Sequence, residues 1–234
     1  MIKTVLFDLD GTLLPMDQDV FVKDYFGRLV KKLAPHGYDP DGTVKAIWAG
    51  TKAMIKNDGS VFNERRFWDT FPVCTGKDAL ADLYLFDEFY EKDFPLVSSS
   101  CGHTEKAAQA IAILKEKGIG AVLATNPIFP AVATKHRMSW AGVKPEDFLY
   151  YTTYENSRYC KPNPAYYQEI LDQTGLKAEE CMMVGNDVGE DMVAAKLGMK
   201  VFLLTDCLIN RTGEDIGGYP HGNFDNLLDC LRAL

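Results

Sequence analysis

Thr4-Val5-Leu6-Phe7-Asp8-Leu9-Asp10-Gly11-Thr12 is the stretch from which the rest of the chain can be read. Val5, Leu6 and Phe7 form a short, uninterrupted apolar run, the pattern of a strand buried on both faces. Two carboxylates follow with one residue between them, and Gly11 ends the run. In an open α/β sheet, ligands bind beyond the carboxyl ends of the strands. Two acids there are costly unless a cation, or an anionic substrate with a cation, lies between them. A surface turn after a buried strand can carry the same letters. A calcium loop of the EF-hand type cannot. Counted from Asp8, its fifth and sixth positions are Thr12 and Leu13, where that pattern needs an acid and a glycine.

The 234 residues, 47% hydrophobic and 25% charged, can bury a sizeable core as one large domain or two unequal ones. A formal charge of −8 argues against a nucleic-acid partner, which needs a basic face. It leaves room for a phosphorylated substrate, because a metal ion and one or two local cations invert the field in a cleft. No apolar run approaches the ~18 residues of a membrane span, and Met1-Ile2-Lys3 leads straight into the strand, so no signal peptide is expected. The six cysteines include no C-x-x-C pair, so a zinc site is not expected, and they read as reduced thiols of a cytoplasmic protein. Oligomeric state is not set by the sequence.

Residues 16–96 read as helix throughout. Phe21, Tyr25, Leu29 and Leu33 recur every fourth residue, with Asp17 and Asp19 ahead of them and Pro35 behind. Val44, Ile47, Trp48, Thr51 and Ile55 mark a second helix, opened by Asp39-Pro40. Asn63 is the expected cap of a third, carrying Phe67 and Trp68, and Leu80, Leu83, Phe86, Phe89 and Tyr90 suggest a fourth. The aromatic side chains of this block read first as core. From about residue 105 onward, helices alternate with short apolar strands near 120–125, 148–151, 181–184 and 200–204, which implies a parallel sheet. The expected organisation is an α/β core of residues 1–15 and 97–234 interrupted by an all-helical cap over 16–96. The cap leaves the sheet right after the two acids, past Leu14-Pro15, and returns near Ser98-Ser99-Ser100-Cys101-Gly102. It would lie over the strand ends as a lid.

Three further polar groups stand where Asp8 stands, beyond apolar strands. Thr125-Asn126 follows the second strand and Gly185-Asn186-Asp187 the fourth, while Lys161 lies in the loop before the helix that begins near Pro164. Taken singly, each reads as a helix cap or an exposed loop residue. Taken together, they converge on one end of one sheet. This combination resembles the haloacid dehalogenase superfamily. Asp8-Leu9-Asp10-Gly11-Thr12 is similar to its first motif, Thr125-Asn126 to its second and Lys161, in Cys160-Lys161-Pro162-Asn163-Pro164, to its third. Gly185-Asn186-Asp187 through Asp191 is similar to the fourth. The position of the helical block resembles the subfamily whose cap lies between motifs one and two. The resemblance implies a Rossmann-like sheet of order 3-2-1-4-5 with helices on both faces. The fourth motif departs from the usual pattern, because Asn186 directly follows Gly185 where an acid is common. Either Asp187 or Asn186 then supplies a metal ligand, and a hard cation favours the carboxylate of Asp187.

What the resemblance implies for chemistry is a Mg²⁺-dependent phosphatase acting on a small phosphorylated metabolite. Asp8 would be the nucleophile, forming an aspartyl-phosphate, and Asp10 the general acid–base. Thr125, the Asn126 backbone and Lys161 would hold the phosphoryl group. Asp8, the backbone carbonyl of Asp10, and Asp187 would hold Mg²⁺, with Asn186 and Asp191 behind them. Thr12 would orient Asp10 or brace the turn. Three rivals share the motifs. A dehalogenase of the same superfamily lacks the second acid, since a halide leaves without a proton. A phosphomutase keeps both acids and differs in its cap. Phosphonate cleavage needs a cap lysine, and Lys23, Lys31, Lys45, Lys52 and Lys56 carry no distinguishing context. From another class, a non-catalytic binding module on this fold would not need Asp8, Asp10 and Lys161 together.

Overall fold

A computed structural model describes residues 1–78 and 81–234. Five parallel strands, β1 (Thr4–Phe7), β2 (Gly120–Leu123), β3 (Tyr150–Tyr151), β4 (Cys181–Gly185) and β5 (Lys200–Leu204), are joined by a sixth, β6 (His221–Gly222). Their order is β3-β2-β1-β4-β5-β6. The expected order is thus present, extended by an edge strand that two residues without apolar pattern could not announce. β1 is central, pairing through Phe7 with Leu123 on one side and Val184 on the other.

The strands bury both faces. Val5 and Phe7 of β1, Leu123 of β2 and Met182 and Val184 of β4 belong to one apolar cluster, and Leu6, Val122 and Met183 to another across the sheet. Alternation along a pleated strand produces that division. Helices α5 (Lys106–Glu116), α6 (Ala131–Trp140) and α8 (Phe224–Ala233) contribute to the first cluster, and α7 (Pro164–Thr174) to the second. Between β4 and β5, where the alternation implies a helix, the chain makes a short 3₁₀ helix, Met192–Leu197. The preceding turn is a loop, its Asp191 side chain bent back to accept the Asp187 N–H at 2.9 Å.

The helical block contains α1 (Gln18–Leu33), α2 (Pro40–Ile55), α3 (Asn63–Thr75) and α4 (Leu83–Glu88). Phe21, Tyr25, Leu29 and Leu33 are the buried stripe of α1, and the Asp17 carboxylate caps it by accepting the Asp19 and Val20 N–H groups. The fourth helix differs from expectation. After α4 the chain passes into a π-turn, Phe89–Asp93, then 3₁₀ turns, Phe94–Ser100, while Leu80 lies outside the described residues. Asn63 is not the cap of α3. Phe62 holds that position, and the wholly buried Asn63 amide donates instead to the Pro127 carbonyl at 3.2 Å and the Tyr159 carbonyl at 3.4 Å. Its backbone N–H donates to the Ser157 carbonyl at 2.9 Å, so the start of α3 is tied to the loops beyond β2 and β3. The two crossings between sheet and helical block run side by side: Met16 bridges Cys101, and the Gly102 N–H donates to the Pro15 carbonyl at 2.7 Å. All six cysteines are unbonded to one another. Among the described residues no helix is long and apolar enough to cross a membrane.

Candidate active site

Register brings the site together. Asp8 directly follows Phe7, and its N–H donates to the Val184 carbonyl at 2.9 Å, while the Ala124 N–H donates to the Phe7 carbonyl at 2.7 Å. The three polar strand ends, Asp8, Thr125-Asn126 and Asn186-Asp187, therefore lie at nearly one level on three adjacent strands. Two glycines make the arrangement possible. Gly11 turns the chain at φ +85°, and a Cβ there would lie 2.3 Å from the Asn186 amide nitrogen. At Gly185 a Cβ would lie 2.1 Å from an Asp191 carboxylate oxygen.

Lys161 is the hub. Its ammonium is buried and donates to Asp8 Oδ1 at 2.8 Å and to Asp191 Oδ1 at 2.6 Å. Burial works to lower its pKa, yet the carboxylates of Asp191 and Asp8 outweigh it and hold the group well above the ordinary lysine value. Burial raises Asp191, against the pull of Lys161. Thr12 Oγ1 lies 3.1 Å from Asp8 Oδ2 and 3.1 Å from Asn186 Oδ1. Thr12 therefore braces the turn and touches Asp8 rather than Asp10. Asn186 is committed to structure: its oxygen faces Thr12 and its nitrogen donates to the Cys207 carbonyl at 2.6 Å. Asp187 Oδ1 accepts the Gly189 and Glu190 N–H groups, and Oδ2 accepts from Arg211.

Three site residues had no place in the sequence reading. Arg137, wholly buried on α6, pairs with Asp10 Oδ2 and lies 4.4 Å from the Phe129 ring centroid. It stands on the buried face of its helix, between Ala133 and Met138. A cation in an apolar stripe demands an acid partner, and that was the available signal. Glu190 accepts from the Asn126 amide at 3.1 Å, and burial raises its pKa. Arg211 comes from a loop with no periodic pattern.

Asp10 is set apart from Asp8. Burial is the main cause that raises its pKa, Asp8 adds to the rise, and Arg137 and Lys161 oppose it. Its Oδ1 is buried with no hydrogen-bond partner, as is Asn126 Oδ1. Asp8, Asp10, Asp187, Glu190 and Asp191 face Lys161, Arg137 and Arg211, so five carboxylates against three cations leave a formal −2. All the free donors are oxygens. That deficit, the orphaned Asp10 oxygen and the oxygen chemistry suit a hard divalent cation. Among the described residues no three His, Cys, Asp or Glu side chains are gathered closely enough to hold a metal unaided.

The family model for haloacid dehalogenase-like hydrolases matches residues 2–198. The chain belongs to that family. This haloacid dehalogenase-like hydrolase is 25% identical to a phosphoglycolate phosphatase of Colwellia psychrerythraea, over 99% of this chain and 96% of that protein. It is 26% identical to a glyceraldehyde 3-phosphate phosphatase of Methanocaldococcus jannaschii, over 100% of this chain and 99% of that one. The crystal structure of a 2-haloacid dehalogenase from Pseudomonas syringae pv. Tomato has the same fold, with a TM-score of 0.66 at 20% identity, over 100% of this chain and 99% of that one.

Proposed function

We propose that this hydrolase is a Mg²⁺-dependent phosphatase that moves the phosphoryl group of a small phosphorylated metabolite onto Asp8 and then to water. One observation carries the reading: two acids of different environment stand at one cavity, Asp8 held by Lys161 and Asp10 held by Arg137. The near full-length likeness to two proteins named as phosphatases supports it. A dehalogenase has no use for the second acid.

Asp8 presents a carboxylate oxygen to phosphorus, with Thr12 and Lys161 fixing its direction. Lys161 offsets the repulsion between that carboxylate and the phosphoryl dianion. Thr125 and the Asn126 N–H hold phosphoryl oxygens. Asp10, its pKa raised by burial, protonates the departing alkoxide. It then takes a proton from the water that attacks the aspartyl-phosphate, and Asp8 is restored. Asp8, the Asp10 carbonyl and Asp187 would hold Mg²⁺, with Asp191 and Asn186 supporting them, and the bound ion would supply neutralisation of negative charge at the site. Asn186 is the weaker candidate ligand because its amide is committed to Thr12 and Cys207.

Phosphate release from acetyl phosphate tests the reading. Native protein should turn it over with Mg²⁺, lose activity with EDTA and regain it when Mg²⁺ is restored. Asp8→Asn should be inactive with an unchanged circular dichroism spectrum. Substantial turnover by that variant, or activity indifferent to chelation, would overturn the assignment.

A further inference from the structure

Beyond Asp8 and Asp10 the site opens into a cavity of about 290 Å³, at the lower end of small-molecule sites, which span roughly 300 to 1,000 Å³. Its far walls come from the helical block: Phe26 of α1, Trp48 and Ile55 of α2, and Phe67 and Trp68 of α3. Ile47, Trp48, Thr51 and Ile55 of the α2 stripe line this space, and Trp48 is 52% and Ile55 44% exposed. Phe26 meets Trp48 edge to face, with centroids 5.3 Å apart and planes at 82°. Phe67 and Trp68 do the same at 5.0 Å and 89°. Each such corner offers a ring face and a ring edge to a flat guest.

Positive charge is missing from these walls. Among the described residues that line the cavity, Arg211 is the one cation; it comes from the core, not from the helical block, and lies beside Asp187 with its side chain 61% exposed. Arg137 and Lys161 are enclosed and spent on Asp10, Asp8 and Asp191. No lysine of the helical block lines the space. The hydroxyls of Tyr25 and Tyr90 lie 2.8 Å apart and share one hydrogen bond, which leaves a single neutral O–H between them. A carboxylate or second phosphate on the leaving group would lose its water against aromatic rings and meet no cation there, only neutral donors such as Gln18, Thr51 and Tyr154.

We propose, resting on the phosphatase reading above, that the alcohol this enzyme releases is uncharged, mainly apolar and ring-bearing. It is neither a hydroxy acid nor a second phosphate ester. The same absence of cations disfavours a mutase, which must hold a bisphosphate. The substrate class therefore differs from 2-phosphoglycolate, which carries a second anion.

The test compares 2-phenylethyl phosphate with 2-phosphoglycolate. Both are unactivated alkyl monoesters, so the comparison reads binding of the leaving group and not its intrinsic reactivity. Acetyl phosphate, too small to fill the cavity, serves as control. With Mg²⁺, kcat/KM for the phenylethyl ester should exceed that for phosphoglycolate by at least about 100-fold, the scale on which a site rejects a group it cannot partner. Trp48→Arg puts a cation on the wall at a half-exposed position and should cut that ratio by about 10-fold or more. Turnover of acetyl phosphate with equal or reversed preference between the two alkyl esters overturns the substrate class and leaves the phosphatase reading standing. No turnover of any of the three removes the phosphatase reading, and the substrate class falls with it. Should Trp48→Arg fail to fold, the ratio measured on native enzyme decides.

Discussion

Arg137 and Asp10 form a pair in which each side chain alters what the other can do. Burial raises the Asp10 pKa and Arg137 opposes it. Arg137→Met removes the opposing charge, so Asp10 keeps its proton to higher pH. Phosphorylation of the enzyme needs Asp10 protonated, and the falling limb of kcat/KM against pH should therefore move to higher pH. Hydrolysis of the aspartyl-phosphate needs Asp10 bare, and kcat near neutrality should fall by about 10²-fold. A limb that stays in place while activity drops would make Arg137 merely structural. Metal binding has its own signature in the same groups. The folded-state pKa values of Asp10 and Asp191 are raised, so the stability they contribute is present below about pH 3.9 and is lost as pH rises through the folded values. At neutral pH both carry a penalty that a bound cation offsets. The rise in Tm on adding Mg²⁺ should thus be larger near neutrality than in acid, and Asp187→Asn should shrink it. Asp8, Thr125 and Asp187 were legible because each lies just beyond an apolar strand, and Asp10 because it follows Asp8 with one residue between them. Glu190 and Arg211 were not, since nothing local distinguishes a paired buried charge from an exposed one until the fold places its partner, and the one local sign at Arg137, its place among buried residues of α6, does not name the acid it meets.

Elements followed the same logic. α1 and α2 were legible because period-four apolar positions, acidic caps and Pro40 all agree. The four longer strands were legible as short apolar runs, buried on two faces by helices. Failures occurred where tertiary contacts override local signals. Asn63 has the chemistry of a cap, but its amide finds carbonyl partners on the loops beyond β2 and β3, and α3 starts without a side-chain cap. The run from Phe86 to Val97 keeps apolar residues at helical spacing, yet it bends through π and 3₁₀ turns that bury Phe89, Phe94 and Val97 together. β6 has two residues and exists because β5 offers an edge. The aromatic side chains of the helical block were read as core. Phe71 and Phe89 fit that reading, whereas Trp48 and Phe67 line the cavity, a distinction of facing that periodicity on one helix does not contain.

At the scale of the molecule, the open question is how a substrate reaches carboxylates that lie beneath the helical block. The two crossings, paired through Met16 and Cys101, form a narrow waist, the place on which that block would swing if it is a lid. Closure of such a lid would be held at another place, the start of α3. There the buried Asn63 amide donates to the Pro127 and Tyr159 carbonyls and accepts from Asn57 at 2.9 Å. Opening must break those bonds between α3 and the core loops, and a buried polar group left unpaired costs about 1–3 kcal/mol. If the block is a lid, Asn63 is its latch, and Asn63→Ala should favour the open form. Solution scattering should then give a larger radius of gyration for Asn63→Ala than for native protein without ligand. A beryllofluoride adduct at Asp8, occupying the place of the phosphoryl group, should bring the two together. KM should rise more than kcat changes, because closure is needed to hold the leaving group against the aromatic wall. A lower Tm with superimposable scattering curves and an unchanged KM would instead make the helical block a rigid part of the core, with Asn63 a packing residue in it.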